Sequence, residues 1–223
     1  ESLPAIQAIV RAVPSGRQLI FASATEQPEG TAAIATLAPD RVMLQTGAAP
    51  VNENIEHLYL VCEGRDKPEV LRKLLYALRP ERALVFVHRI ETAEEVAAKL
   101  AHHRIPVADL HAALDKRDRK QAMDDFRGAR VHVMIASDVA ARGLDIPGVT
   151  HVLNLDVPTQ SKAYLHRVGR TARAGARGQA VTLMTEDEVR LARRYERELG
   201  IVMRQVRLRE GRLIGVGDPD RPG

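Results

Sequence analysis

The sequence has very few of the residues that stack on nucleobases or cross-link a fold. It contains no tryptophan, and aromatic side chains make up 3% of its 223 residues. Base stacking on aromatic platforms is therefore not expected as the main mode of binding nucleic acid. The single cysteine, Cys62, excludes an intramolecular disulfide and a cysteine-based metal cluster, and it predicts a reducing, cytoplasmic setting.

Long apolar runs are also missing. The longest, such as residues 83–87, have the length of a β-strand and are far too short to span a bilayer. A hydrophobic fraction of 45% nevertheless supports a buried core. The first residues read as the middle of a fold, so we expect the chain to be a fragment of a longer protein.

A phosphate-binding loop is a third absence. The sequence has no G-x-x-x-x-G-K-[ST] motif and no Gly-Lys pair. It is instead rich in arginine, with 27 Arg and 6 Lys against 29 acidic residues, for a net charge of +4. Guanidinium groups suit bidentate contacts with phosphate, so this bias either favours a phosphate-bearing partner or reflects genomic base composition.

Short β-branched runs alternate with amphipathic stretches along the chain. Predicted strands are Gln18–Ala22, Arg41–Gln45, Glu56–Cys62, Arg82–Val87, Val107–Leu110, Val131–Ala136, His151–Leu155 and Ala180–Met184. Predicted helices are Asp66–Leu78, Glu91–His102, Asp115–Phe126 and Glu186–Leu199. The first two carry capping-box patterns, Asp66 with Glu69 and Thr92 with Glu95.

This alternation predicts an α/β fold in which a parallel sheet is covered by helices on both faces. Right-handed crossovers place the carboxyl ends of all parallel strands at one edge, so functional residues are expected in the loops after the strands. Residues 47–54 read as a linker. Residues 1–46 are then the last piece of a preceding domain, 55–206 a second domain, and 207–223 a tail with a hairpin at Glu210-Gly211.

Three segments concentrate residues suited to phosphate chemistry. The first, Ser23-Ala24-Thr25, could bond an acidic partner, although a helix N-cap is the commoner reading. The second, residues 136–147, has Ser137 and Asp138 where a helix N-terminus could bind phosphate, Gly143 for close backbone approach, and Asp145 for a ribose hydroxyl. A capped helix with a structural turn explains this second segment equally well.

The third segment, residues 166–175, has arginines at three-residue steps. If its helix continues, His166, Arg170 and Arg173 share one face, where like charges are unfavourable unless an anion faces them. Polyphosphate is the natural anion, because guanidinium groups stabilise charge on a transferring phosphoryl group. A solvated basic face is the alternative.

In this order and spacing the segments resemble the late motifs of DEAD-box RNA helicases. Ser23-Ala24-Thr25 resembles the third motif, residues 84–89 the fourth, 136–146 the fifth and 166–175 the sixth, with 110–126 between the fourth and fifth. "SDVAARGLDIP" and "HRVGRTARAG" are the specific parts of the match. The resemblance implies a RecA-like three-layer sandwich, with residues 1–46 ending the first RecA-like domain and residues 55–206 forming the second.

The resemblance also implies individual roles. Arg170 and Arg173 would be arginine fingers on ATP, and Asp145 would contact its ribose. The accompanying Mg²⁺ would be held mainly by the first domain, with no metal ligand in this chain.

The remaining implied roles concern coupling and RNA. His166 would join Ser23 and Thr25 in linking the nucleotide to domain closure. The RNA backbone would be contacted by Ser137, Gly143, Arg119, Lys116 and Arg89. At two of these positions the family usually has a different residue: Thr where Arg89 stands and Gln where Lys116 stands.

The predicted function is therefore part of an ATP-dependent RNA helicase that remodels RNA through contacts largely independent of base sequence. The chain alone is predicted to be inactive, because it lacks the Walker-type loop and a D-E-A-D motif. The alternatives are a DNA-directed helicase and a non-enzymatic RNA-binding or dimerisation module on a RecA-like fold. The His-led sixth motif argues against the first, and intact Arg170, Arg173 and Asp145 argue against the second.

Overall fold

The computed structural model describes residues 3–14, 16–21, 28–44, 51–110, 114–141, 146 and 148–217. Two compact units are distinguished, Glu1–Pro50 and Val51–Gly223. The first unit contains the helices α1 (Leu3–Ala12) and α2 (Pro28–Leu37). None of the described helices is long and apolar enough to cross a membrane.

Two predicted strands of the first unit are not formed over their described residues. Residues 17–21 and 41–44 have no regular structure, although Gln18–Ala22 and Arg41–Gln45 read as strands in the sequence. Ile20, Val42 and Leu44 are all more than 80% exposed. A strand exists only by pairing with another strand, and the described part of this unit supplies no partner.

The second unit is built on one sheet of eight strands among its described residues. Its elements are β1 (Ile55–Val61), α3 (Lys67–Leu78), β2 (Ala83–Val87), α4 (Ile90–His102), β3 (Val107–Leu110), α5 (Lys116–Arg127), β4 (Val133–Ser137), α6 (Asp138–Ala141), β5 (His151–Asn154), α7 (Ser161–Val168), β6 (Gly178–Met184), α8 (Val189–Leu199), β7 (Met203–Arg209) and β8 (Arg212–Gly215). The strand order is β3-β4-β2-β5-β6-β1-β7-β8, and β8 alone is antiparallel to its neighbour.

Helices cover both faces of this sheet, as the alternation of elements predicts. Side chains of α3 and α4 pack in one apolar cluster, and those of α5, α7 and α8 pack in another on the opposite face. Every residue of β2 is buried, which is the signature of a strand covered on both sides. The predicted α/β, RecA-like three-layer arrangement is therefore confirmed.

The helix starts agree less well with the sequence patterns. Asp66 precedes α3 but makes no side-chain capping bond, and Glu69 instead pairs with Arg72 at 2.5 Å. Helix α4 begins at Ile90, so Thr92 lies inside it and cannot be its cap. Asp115 is the N-cap of helix α5: its Oδ1 accepts from the backbone N–H of Asp118 at 2.8 Å.

The sheet continues beyond residue 206, where the sequence patterns predict the start of a tail. Strands β7 and β8 form a hairpin through Glu210 and Gly211, which have φ of 51° and 74°. Two successive residues with positive φ are typical of the tight turns whose twist matches a hairpin. The predicted hairpin at these residues is confirmed.

Gly178, the first residue of β6, allows the segment before it to pack closely. A Cβ there would lie 2.3 Å from Thr171 Oγ1 and 2.8 Å from Ala172 N. We predict that Gly178→Ala lowers the free energy of unfolding by about 1–3 kcal/mol in urea denaturation, because the added methyl overpacks this contact.

Gly64→Ala is the matched control for this prediction. The nearest atom to a Cβ there, Thr185 Cγ2, is 3.9 Å away, so no overpacking results. Equal decreases in stability for the two variants would contradict the packing argument.

Candidate functional site

Basic and hydroxyl side chains come together at the carboxyl edge of the sheet. Arg89 follows β2, Ser137 ends β4, and Lys116 begins the helix that follows β3. These three strands are neighbours in the order β3-β4-β2. Arg89 and Lys116 are exposed, so this part of the edge presents cations to solvent.

Two contacts fix helix α6, which lies in the segment that resembles the fifth motif, at this edge. Ser137 Oγ accepts from the N–H of Ala140 at 3.3 Å, which caps α6. Arg119 Nη2 donates to Ala140 O at 2.8 Å and ties α5 to α6. Ser137 thus has the structural capping role, one of the two roles that its sequence position allows. Arg119 therefore has a bond within the protein, whereas Lys116 bonds none of the described residues.

A buried arginine, to which the sequence patterns assign no role, joins the motif-bearing segments. Arg167 on α7 is 1% exposed. Its Nε and Nη2 each donate to one carboxylate oxygen of Asp138 at 2.6 Å. Its Nη1 donates to Asp156 O at 2.6 Å and to Asn154 Oδ1 at 3.3 Å, and its guanidinium lies 5.0 Å from the centre of the Phe86 ring. This fork is the bidentate geometry in which arginine pairs most strongly with a carboxylate.

The contacts of Arg167 reach the fourth motif as well. Asp156 Oδ2 accepts from the backbone N–H of His88 at 2.7 Å, next to Arg89. The segments that resemble the fourth, fifth and sixth motifs are therefore linked through one guanidinium and the residues it bonds. The acidic residue Asp138 in the fifth-motif segment is the one sequence feature that points to this link. The sequence pattern of the sixth-motif segment does not show which of its arginines is buried.

Helix α7 is also fixed on its other side by an aromatic cluster. Tyr164 is stacked on Tyr195 of α8 with ring centres 4.6 Å apart, and its hydroxyl lies 2.8 Å from His57 Nδ1. Burial lowers the pKa of His57 to about 4, so this histidine is neutral at pH 7.

The sixth-motif arginines do not share one helical face, contrary to the sequence expectation. Helix α7 ends at Val168, and the chain then turns with φ of 54° at Ala172, 53° at Ala174 and 80° at Gly175. Arg170 is half-buried and Arg173 exposed on this turn, while His166 is exposed on α7 itself. Like charges at helical spacing are unfavourable, and the turn removes that spacing.

The turn also lies at the amino edge of the sheet, not in a loop after a strand. Thr171 Oγ1 is 2.7 Å from Val149 O and 3.0 Å from Thr150 O, just before β5. Asn52 Nδ2 donates to Ala172 O at 2.6 Å, just before β1. The expectation that functional residues lie in the loops after strands is wrong for this segment, because a crossover helix runs antiparallel to its strands and returns the chain to the opposite edge.

Four predicted site residues lie outside the described part of the chain. They are Ser23, Thr25, Gly143 and Asp145. Their roles remain predictions.

Comparison with known proteins gives the class of this fold. Residues 66–175 match the family described as Helicase conserved C-terminal domain. The second unit is therefore a helicase C-terminal domain.

Individual relatives narrow the class further. The chain is 32% identical over 94% of its length to the DEAD-box ATP-dependent RNA helicase CshC of Bacillus cereus, of which it covers 54%. It superimposes on S. cerevisiae Dbp5 bound to RNA and ADP BeF3 with a TM-score of 0.77 and 31% identity, over 89% of this chain and 53% of that one. For the E. coli DEAD-box protein SrmB bound to RraA the TM-score is 0.65 and the identity 34%, over 70% and 92% of the two chains.

The chain belongs to the DEAD-box family of ATP-dependent RNA helicases. It spans about half the length of its relative CshC.

The Arg167–Asp138 pair generates a stability prediction. Arg167→Met should lower the free energy of unfolding by about 3–5 kcal/mol in urea denaturation, since it leaves a partly buried carboxylate and two acceptors without their donor. Arg194→Met, which breaks the exposed pair with Glu198, should cost far less. A small effect of Arg167→Met would show that the fork is not needed to hold α6 against α7.

Proposed function

We propose that this chain supplies half of the ATP site and half of the RNA site of an ATP-dependent RNA helicase. The proposal is carried by one observation: segments with the arginines of the sixth motif and the basic residues of the carboxyl edge belong to one unit and are joined through buried Arg167. A relative of this chain, Dbp5, is known in a complex with RNA and ADP BeF3.

In the proposed ATP site, Arg170 and Arg173 stabilise the negative charge of the phosphates as arginine fingers. Asp145 accepts hydrogen bonds from the ribose. Mg²⁺, when bound with ATP, would neutralise charge on the phosphates, and it would be held mainly by the preceding domain, since this sequence has no phosphate-binding loop. The described residues contain no group of three metal-binding side chains.

In the proposed RNA site, Arg89, Lys116 and Arg119 bind phosphates, and Ser137 and Gly143 approach the backbone. Contacts of this type position RNA without reading its bases. Buried Arg167 keeps this edge in register with α7, so that a shift of Arg170 or Arg173 moves the RNA-binding edge with it. Ser23, Thr25 and His166 couple this movement to domain closure.

The domain assignment belongs to the same proposal. Residues 1–46 are the end of the first RecA-like domain, 47–54 the linker, and the second RecA-like domain begins at residue 55. The intact enzyme closes its two domains on ATP and RNA, separates a short duplex and reopens after hydrolysis. Its location in the cytoplasm stays a prediction.

The finger assignment predicts a separation of functions. In the full-length protein, Arg170→Ala should lower the ATP turnover by about 10³-fold or more, because the charge that forms on the phosphates is no longer stabilised by a guanidinium, while RNA affinity stays close to wild type. Steady-state phosphate release and RNA titration measure the two effects. Arg65→Ala, which removes an exposed arginine from the turn before α3, is the control. Unchanged turnover in Arg170→Ala would refute the assignment.

A second prediction concerns the 223-residue chain by itself. It should show no ATP turnover above background at saturating RNA, because the chain has no phosphate-binding loop to hold the phosphates of a bound nucleotide. Turnover comparable to that of a complete helicase would contradict the half-site model.

A further inference from the structure

Several arginines of the second unit are paired with carboxylates, and several exposed ones are not; six of the second kind are gathered on two neighbouring elements. Arg72, Arg130, Arg167, Arg194 and Arg204 each have a carboxylate oxygen within 2.7 Å. Six other arginines lie on α8 and on the β7–β8 hairpin: Arg190, Arg193, Arg197, Arg207, Arg209 and Arg212. All six are exposed. Five have no ion pair or side-chain hydrogen bond with any described residue, and Arg209 only approaches Glu210 at 3.8 Å.

The outer side of α8 carries three of these arginines. Ala192 and Tyr195 face the core. Glu198 bonds Ser161 of α7 on one flank of the helix, and Glu196 accepts from the N–H of Met203 of β7 on the other. At 100° per residue, Arg190, Arg193 and Arg197 then fall on the side opposite the core, with Arg193 nearest to β7.

The hairpin carries the other three arginines on the face of the sheet against which α8 packs. Arg209 is directly opposite Arg212, and Arg207 is opposite Ile214. Because side chains alternate along a strand, Arg207 and Arg209 share a sheet face with Met203. Met203 packs in the apolar cluster that contains α8. We name these six arginines the basic surface.

The basic surface is unfavourable on its own. Like charges directly across a hairpin and like charges three or four residues apart on a helix each destabilise the fold slightly. Of the nearby carboxylates, Glu196 and Glu198 are already engaged with Met203 N and Arg194. Glu210 approaches only Arg209, at 3.8 Å, and Asp187 is close in sequence only to Arg190. An anionic ligand would remove this repulsion, and guanidinium groups match phosphate best.

We propose that the basic surface binds the phosphate backbone of RNA as a second contact, separate from the carboxyl-edge site. This inference rests on the proposed function. The surface favours RNA over an acidic protein because α8 and the hairpin present no exposed aromatic anchor of the kind found in protein interfaces: their one aromatic residue, Tyr195, is fully buried in the core.

The two RNA contacts are separated along the sheet. Strand β7 is five positions from β4 in the strand order, a distance of about 24 Å. Glu63, Glu186 and Asp187 line a cavity at the carboxyl ends of β1 and β6, between the two contacts. A strand of RNA is repelled from that intermediate stretch, so the basic surface holds a flanking segment of the same RNA.

The experiment uses two triple variants of the full-length protein, R190Q/R193Q/R197Q and R207Q/R209Q/R212Q. Binding is measured against salt for a single-stranded RNA of about 30 nucleotides and one of about 6 nucleotides, which cannot reach both contacts. With the long RNA, each triple variant should reduce the slope of log affinity against log salt by about 2, at roughly 0.7 for each phosphate that is no longer neutralised. With the short RNA, bound at the carboxyl edge, the slope should not change.

The matched control removes three exposed cations from the opposite helical layer, K73Q/R79Q/R104Q. An unchanged slope in both triple variants, or an equal reduction in the control, overturns the inference. Poly-glutamate is the probe for an acidic protein partner. If the two triple variants no longer bind poly-glutamate but bind RNA as the wild type does, the inference is overturned in favour of such a partner. R89Q tests the other contact: if it weakens binding of both RNAs while the triples have no effect, the proposed function stands and only the basic surface fails.

Discussion

The buried guanidinium of Arg167 is the constraint on which the arrangement of the second unit depends. A charge removed from water is tolerated only when it is paired and its donors are satisfied, and Arg167 meets this condition through Asp138, Asn154 and Asp156 O. These partners lie on α6 and at the end of β5. Each of the three guanidinium nitrogens is bonded only when α6, α7 and the end of β5 have this one relative position.

That position matters because the chain divides its candidate functions between two edges of one sheet. Arg89, Lys116 and Ser137 lie at the carboxyl edge, whereas the turn with Arg170 and Arg173 lies at the amino edge, beside Val149 and Asn52. Helix α7 runs from one edge to the other. A rigid connection of this kind would let two remote ligands act on the same body, which is what the proposed coupling of nucleotide to RNA requires.

Charge is distributed in the same divided way. The net charge of +4 is small, because acidic residues nearly balance the arginines and lysines in number. The exposed arginines of the basic surface gather on α8 and the hairpin, while Glu63, Glu186 and Asp187 separate them from the carboxyl-edge site. In a chain with few aromatic residues, the proposed RNA contacts are made by guanidinium groups placed where phosphates would lie.

The sequence alone predicted the strands β1 to β6, the helices α3, α4, α5 and α8, the parallel sheet and the DEAD-box motifs, because periodicity and short motifs are local properties of a chain. It did not predict β7 as a strand, and it placed the start of a tail inside that strand. Tertiary structure decided the rest. Residues 18–21 read as a strand but lack a partner among the described residues, and the helix through His166 stops at Val168 because the crossover must turn back into β6. Arg167, one arginine among 27, can be buried because Asp138 and Asn154 of other elements accept its hydrogen bonds. No local sequence pattern predicts contacts between elements that are distant in the chain.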